Sequence, residues 1–487
     1  MVRTAPTGDT GAVEWFSASD DWLSRWVFER GLALTYVIAF AVVLNQFRPL
    51  LGDHGLLPVP RFVAAVPFRR SPSLFHWRYS DRLLVGVGWV GVVLATALLL
   101  ELPQRTAAPV AMACWAALWL LYLSVVNVGQ RFYSFGWESL LLEVGFLACF
   151  LGGSATAPPV IVLWLLRWLL FRLELGAGLI KLRGDPCWRD LTCLEHHHET
   201  QPMPGPLSAA FHHLPKAAHR VEVLANHSAQ LVVPWFLFAP DPLSTAAALI
   251  IVITQGYLMI SGNFSWLNLL TIAIALSVID GSVLAHVVPV DPPADLGATP
   301  GWQTTLSLAL AAFVAFRSIP IVANLLSSHQ RMNASFDRLH LVNTYGAFGT
   351  VTKVRREVII EGTADEAPGP DTEWLEYEVR GKPGDVRRRP PQVAPYHLRL
   401  GWLLWFVALS PSYGEGWFRV LLQRLLEADA TTLALFDRDP FHGDRPAFVR
   451  ARLFRYELTT RQERRDTGAW WRRQPTGTLQ APMGFAR

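Results

Sequence analysis

The chain has 487 residues, of which 51% are hydrophobic and only 17% charged, with a formal net charge of +4 and a mean hydropathy of +0.26. That is too apolar for an ordinary soluble protein, and so small a net charge carries no nucleic-acid footprint. Twenty tryptophans suit helix ends at a membrane interface.

The first thirty residues hold Asp9, Glu14, Asp20, Asp21 and Glu29 rather than a basic tip and an apolar core, so they do not read as a signal peptide. Trp15, Phe16, Trp22, Trp26 and Phe28 lie among those acids, which predicts an amphipathic interfacial segment over residues 1–30. Apolar runs follow at about 31–48, 83–102, 108–129, 138–152, 158–182, 226–240, 243–263, 265–285 and 302–326. The run at 138–152 is short, and Pro234 interrupts the one at 226–240. The expected fold class is a polytopic α-helical membrane protein of about 8–9 membrane helices with a C-terminal α+β extramembrane domain. The membrane domain covers 31–326 and includes structured loops at 48–82 and 183–225.

Within that domain, residues 160–182 are apolar enough to span yet carry Arg167, Arg172, Glu174 and Lys181. A charge at mid-membrane costs about 2.5–3.5 kcal/mol on insertion scales. Arg167, Glu174 and Lys181 recur every seven residues, so one helical face collects them. Such charges face a protein interior or a wet cavity; Lys181, at the helix end, has the alternative of snorkelling to the interface. Glu138 and Glu143 are the partners expected for Arg167 or Arg172, with Asn127 and Gln130 near the same cluster. An ion pair that fixes helix packing is favoured there over catalysis.

The loop after Lys181 contains Cys187 and Cys193, which form a disulfide if they face an oxidising compartment and are free thiols otherwise. Cys114 and Cys149 sit in apolar runs and read as small hydrophobes. The run Glu195, His196, His197, His198, Glu199 suggests metal at first sight, with His212, His213, His219 and His227 following. Consecutive histidines rarely converge on one ion and HExxH spacing is absent, so neither metal nor other cofactor is expected. No nucleophile elbow, P-loop or dinucleotide fingerprint is present.

From Ser327 the chain is rich in Arg, Asp and Glu. Alternating segments at Leu339–Asn343, Val351–Ile360, Trp374–Arg380 and Phe448–Leu458 predict strands; Leu400–Ala408 and Trp417–Ala428 predict helices. These define a water-exposed α+β domain, 327–487, with Trp470–Arg473 placed to touch lipid headgroups. The Arg and Lys bias of the short loops would put this domain in the cytoplasm, whereas a Cys187–Cys193 bridge argues the reverse. Basic residues are almost all Arg, the lysines being Lys181, Lys216, Lys353 and Lys382. That codon-bias signature favours a bacterial inner membrane, the endoplasmic reticulum being the eukaryotic counterpart.

Several ordered blocks carry a resemblance: GDPCWRDLTCLEHHHETQPMPGPL (184–207), ISGNFSWLN (260–268), NLLSSHQRMN (324–333), LHLVNTYGAFGTVTKVRREVIIEGT (339–363), KPGDVRRRPP (382–391) and PYHLRLGWLLWFVAL (395–409). In these the chain resembles the lipase maturation factor family. The resemblance implies a membrane-embedded, chaperone-like factor that helps secreted clients, lipases in animals, to fold, assemble and leave the endoplasmic reticulum. It also implies a lumenal C-terminal domain, which agrees with the cysteine pair rather than with the charge count. Asp185, Trp188, His197 and Glu199 belong to the family-motif loop. His196 and His198 stand where the family has aromatic residues, and Gly401 where it usually has Asp. The segment GLIKL also resembles a helix end in vitamin K-dependent carboxylases, whose lysine there is a base. The competing reading is therefore a membrane enzyme with Lys181 as base on a lipid or quinone-like substrate, beside Glu143, Arg167 and Glu174. A third is a structural scaffold. A cavity lined by Lys181 and a carboxylate would favour the enzyme; a filled core of ion pairs would favour the others.

Overall fold

The structure, a computed structural model, describes residues 15–485. Its first long helix, α1 (Trp22–Leu51), runs 30 residues through the centre of the bundle and buries Phe28, Leu32, Tyr36, Phe40 and Phe47. The expected interfacial segment is therefore not a separate helix where it is described: Trp22 and Phe28 are core residues of α1, and the first fourteen residues lie outside the described ones. Short α2 (Val59–Ala65) lies in the next loop. α3 (Asp81–Leu99) and α4 (Ala108–Val128) follow. α3 approaches α1 through small residues, since a Cβ on Gly91 would meet the Phe40 ring at 2.5 Å.

α5 (Gly136–Ala148) and α6 (Val160–Arg183) form the polar-bearing interior pair. α7 (Leu194–Thr200), α8 (Ser208–His212) and α9 (Lys216–His227) build the loop after α6. The run at 226–240 is no span: after α9 it becomes a π turn (Ser228–Val232) and a 3-10 turn (Val233–Phe238) around Pro234, which cannot donate to an α ladder. α10 (Leu243–Ser261), α11 (Leu267–Leu276), α12 (Gly281–Leu284) and α13 (Gly301–Leu326) complete this half.

Among the described residues five helices are long and apolar enough to cross a membrane: α1, α3, α4, α10 and α13. Their outer faces expose Trp89, Val93, Ile253, Phe316 and Ile319, as lipid-facing surfaces do. The apolar runs at 138–152 and 265–285 yield helices of 13 and 10 residues, about 20 and 15 Å long, too short alone for a hydrocarbon core of about 30 Å. α6 has the length but carries five charges, Arg167, Arg172, Glu174, Lys181 and Arg183.

After Ser327 the chain runs irregularly to residue 354 along the membrane half. The strand expected at Leu339–Asn343 is absent; these residues turn inward to contact α5 and α6. Gly176 on α6 permits this, because a Cβ there would meet the Tyr345 carbonyl at 2.5 Å. A five-stranded antiparallel sheet follows in the order β3-β2-β1-β4-β5. Its strands are β1 (Arg355–Thr363), β2 (Leu375–Val379), β3 (Phe436–Arg438), β4 (Phe448–Leu458) and β5 (Trp471–Gly484). β1 and β4 pair over their full register, Arg355 opposite Tyr456 and Thr363 opposite Phe448. α14 (Arg399–Leu409) packs on β1 and α15 (Phe418–Leu426) on β4, while α16 (Ala430–Leu433) and α17 (Arg461–Thr467) are short connections. Trp471 is buried beneath the Arg355 guanidinium rather than free for headgroups, because β5 is a strand of this sheet. The apolar core is continuous from α1 through α14 to Val449 of β4, so the two halves share one interior.

Candidate functional site

Three of the buried charges of α5 and α6, Glu138, Glu143 and Arg172, find partners in the C-terminal half. Glu143 and Arg172 form an ion pair with both side chains 1% exposed. Asn343 donates to the same carboxylate from its backbone (2.9 Å) and its side chain (3.0 Å), and Tyr345 from its hydroxyl (2.7 Å). The Arg172 guanidinium donates in turn to the Asn343 carbonyl at 2.8 Å.

Glu138 takes a different cation from the one expected. Arg399, the first residue of α14, donates to it at 2.8 Å, His397 lies at 3.7 Å, and Tyr122 donates from α4. Arg399 also donates to the Phe132 carbonyl at 2.7 Å and stacks 3.4 Å from the Tyr133 ring centroid. Gln46 of α1 closes this joint, accepting from the Arg399 amide at 3.0 Å and donating to the His397 carbonyl at 2.7 Å. Asn127 and Gln130 stand apart, bonded to loop carbonyls including Pro72 and Leu57.

The seven-residue stripe of α6 faces the irregular segment after α9 and the adjoining helices. Arg167 donates to the Leu237 carbonyl at 3.2 Å and has no ion-pair partner among the described residues. Glu174 accepts from Gln255 at 2.7 Å, and Gln255 accepts from Asn268 at 2.6 Å. Lys181 donates to Asn226 (2.8 Å) and Gln230 (2.7 Å) and lies 4.9 Å from the Trp188 ring centroid. At 4% exposure Lys181 is enclosed rather than snorkelling. A cavity of about 550 Å³ opens elsewhere, between α2 and α15, lined by residues such as His54, Phe62, Gln130 and Arg424. None of the α6 charges lines it.

The loop at 183–225 latches onto the sheet. Asp185 accepts from the Cys187 amide at 3.0 Å, and Cys187 is disulfide-bonded to Cys193. Trp188 donates to the Phe348 carbonyl at 2.8 Å. His197 packs between the rings of Phe264 and Phe348, and burial pushes its pKa down to about 3, keeping the ring neutral. Glu199 accepts from the Leu458 amide at 2.8 Å; burial raises its pKa, and His212 lies 3.5 Å away. Arg355 reaches back from β1 to the carbonyls of Glu199 (2.8 Å) and Gln201 (2.6 Å). Burial pushes the His212 pKa down to about 4. At Gly401 a Cβ would lie 3.5 Å from the Lys382 side chain, so the Asp usual in the family would face that lysine. In this chain Glu357 does so, at 2.8 Å.

One grouping was not expected from sequence. His198 of α7 meets His219 and Glu222 of α9, with one ligand atom of each within 4.8 Å of the others. The neighbouring His197 packs against Phe264 and Phe348, and the partners of His198 come from another helix. Burial raises the Glu222 pKa, but the facing His198, Tyr257 and His219 groups outweigh it and hold it at about 2.

A family model described as the lipase maturation factor transmembrane domain matches residues 23–286, and one described as the lipase maturation factor C-terminal domain matches residues 341–481. The chain belongs to the lipase maturation factor family. Lipase maturation factor 1 of Bos taurus is 41% identical, over 95% of this chain and 89% of its own length. Lipase maturation factor 1 of Homo sapiens is 40% identical over 98% and 91%, and lipase maturation factor 2 of Homo sapiens 30% identical over 93% and 81%. No solved structure matches the chain. This family member is thus an integral polytopic helical membrane protein with a sheet-bearing C-terminal domain. The Glu143–Arg172 and Glu138–Arg399 pairs gain meaning from the matched segments: Glu138, Glu143 and Arg172 lie in the first, and Asn343, Tyr345, His397 and Arg399 in the second.

The residues that sequence reasoning missed are Asn343, Tyr345, His397 and Arg399. A signal for Arg399 existed. Glu138 and Glu143 needed two cations, and Arg399 opens an apolar helix where an exposed arginine would be out of place.

Proposed function

We propose that this protein is a membrane-embedded maturation factor that assists folding, assembly or export of secreted lipase-type clients by binding them, without turnover. The observation that carries this reading is the near-full-length likeness to lipase maturation factor 1, spanning both matched segments at 41% identity. Its physical support is that most of the buried charges are taken up by internal partners: Glu143 by Arg172, Glu138 by Arg399, and Lys181 by two amide oxygens. The client surface in this reading is the outer side of the 183–225 loop together with the sheet it latches. Val221 and Leu224 on α9 are 64% and 52% exposed there and offer apolar contact to an incompletely folded client. Loop and sheet lie on the non-cytoplasmic face, the side on which a Cys187–Cys193 bridge persists. In a eukaryotic host that face is the endoplasmic reticulum lumen. The inner-membrane alternative rests on codon bias alone, and the relatives named above are animal proteins.

The test is complementation. Cells lacking their own lipase maturation factor 1 receive this chain, directed to the endoplasmic reticulum, together with a dimeric lipase client. Active lipase in the medium is the expected result. Retention of inactive lipase despite correctly inserted, folded protein refutes the reading.

A further inference from the structure

We infer that His198, His219 and Glu222 form a Zn²⁺ site that ties α7 to α9. The three side chains converge from two helices. His219 and Glu222 are three residues apart, so they share one face of α9, and α7 packs against that face. The His219 Nδ1 to Glu222 Oε2 separation is 3.0 Å and the His198 Nε2 to Glu222 Oε2 separation 3.7 Å. Ligand atoms about 2.0–2.2 Å from a tetrahedral zinc lie about 3.3–3.5 Å from one another, so these separations bracket the required spacing.

The surroundings prepare each ligand. His198 is 2% exposed, and neither of its ring nitrogens has a hydrogen-bond partner. A buried imidazole left without partners is costly, and a bound cation would satisfy it. At 3.7 Å the Glu222 oxygen is beyond hydrogen-bonding reach of that ring, yet suited to sharing an ion with it. His219 turns its Nε2 to the His212 carbonyl at 3.4 Å. Without an ion Nδ1 donates to Glu222 Oε2 at 3.0 Å; with the ring proton on Nε2 instead, the Nδ1 lone pair is free to bind a metal. Tyr257 of α10 donates to Oε1 of Glu222 and leaves Oε2 facing both histidines. These are the outer contacts that orient ligands in protein metal sites. Two imidazoles and one carboxylate suit zinc, with the fourth position left for water. The histidine at 198 is what completes the set.

The test uses the full-length protein in detergent or nanodiscs, stripped with a chelator and titrated with Zn²⁺. The expected stoichiometry is one ion per chain, and Co²⁺ in its place is expected to give the intense visible bands of tetrahedral coordination. Tyr257→Phe, which removes only an orienting hydroxyl, is expected to weaken binding about 10–100-fold, and His198→Tyr and Glu222→Gln to weaken it further. His196→Gln, in the same histidine run, is expected to bind like the parent. Failure of the folded parent to bind, an octahedral Co²⁺ spectrum, or undiminished binding in folded Glu222→Gln overturns the inference. The parent's stoichiometry and Co²⁺ spectrum decide the matter even where a variant does not fold.

Discussion

Arg399→Met is the perturbation that bears most directly on how the two halves are joined. Arg399 and Glu138 are at most 1% exposed, and Met removes the guanidinium while filling much of its volume. The change deletes the 2.8 Å ion pair, the 2.7 Å bond to the Phe132 carbonyl and the stacking over Tyr133. It leaves Glu138 buried with only Tyr122 and a more distant His397. Stranding one member of a buried pair costs about 3–5 kcal/mol. At 1.4 kcal/mol per factor of ten, opening becomes about 10²- to 10³·⁵-fold more frequent. The readout is modification of Cys149, a buried thiol immediately after α5, the helix that carries Glu138. With a thiol reagent in large excess over detergent-solubilised protein, the Cys149 labelling rate follows the opening equilibrium. Arg472→Leu is the control, because its side chain is 56% exposed and its pairs with Glu457 and Glu463 lie at the surface, where such pairs contribute about 0–1 kcal/mol. The double variant Glu138→Gln/Arg399→Met is expected to recover part of the loss, since it no longer buries a lone charge. A labelling rate in Arg399→Met within about fivefold of Arg472→Leu would refute the argument, because that is the range of a surface pair.

Three further outcomes are expected. Arg172→Leu strands Glu143 in the same way, whereas Arg167→Leu, which loses a bond to the Leu237 carbonyl and a contact over the Trp164 ring but strands no paired carboxylate, is expected to be milder; equal damage in the Cys149 assay would contradict the partner assignment. Lys181→Arg keeps the charge but supplies no neutral amine, so in the complementation assay the binding reading expects lipase export to persist at matched levels of folded protein; loss of export with unchanged labelling kinetics would favour a lysine base. Burial pushes the Lys382 pKa down from 10.5 to about 8, against the pull of Glu357, so between about pH 8 and 10.5 the unfolded chain holds a proton that the folded chain has released. Stability therefore rises with pH across that window, and the parent is expected to gain on Lys382→Met between pH 7 and 9 in chemical denaturation; a parent that loses ground would reverse the sign.

The helical membrane half was legible because hydropathy is a local property. α1, α3, α4, α10 and α13 each coincide with an apolar run, and β4 matches the alternating segment Phe448–Leu458. What hydropathy could not separate was a spanning helix from an equally apolar segment buried in protein. The π and 3-10 turns around Pro234 and the 10-residue α11 are as apolar as spans, yet they pack against α6 and α10 rather than reaching across. Leu339–Asn343 failed as a strand for the opposite reason. Its alternation was real, but its backbone amides are drawn to the Glu143 carboxylate and to Asp337 rather than to a neighbouring strand.

The charges on α5 and α6 were legible as a demand and not as a solution. Sequence spacing within a helix says which charges share a face; it says nothing about a partner two hundred residues away. Glu143 found Arg172 within the membrane half, but its remaining lone pairs are filled by Asn343 and Tyr345, and Glu138 is filled by Arg399. In a truncated membrane half Glu138 would be uncompensated, while Glu143 would keep Arg172 but lose the Asn343 and Tyr345 donors. The cost of separating them is that of stranding one buried carboxylate, Glu138, and one guanidinium, Arg399, together with the neutral donors lost by Glu143. The arrangement therefore gives a physical reason why the two matched segments occur on one chain: the second supplies the counter-charge of Glu138 and neutral donors to Glu143 that help the first keep acids in an apolar bundle. In exchange, the first holds the segment from Asn343 to Arg399 against α5 and α6, and so places the sheet beside the loop at 183–225.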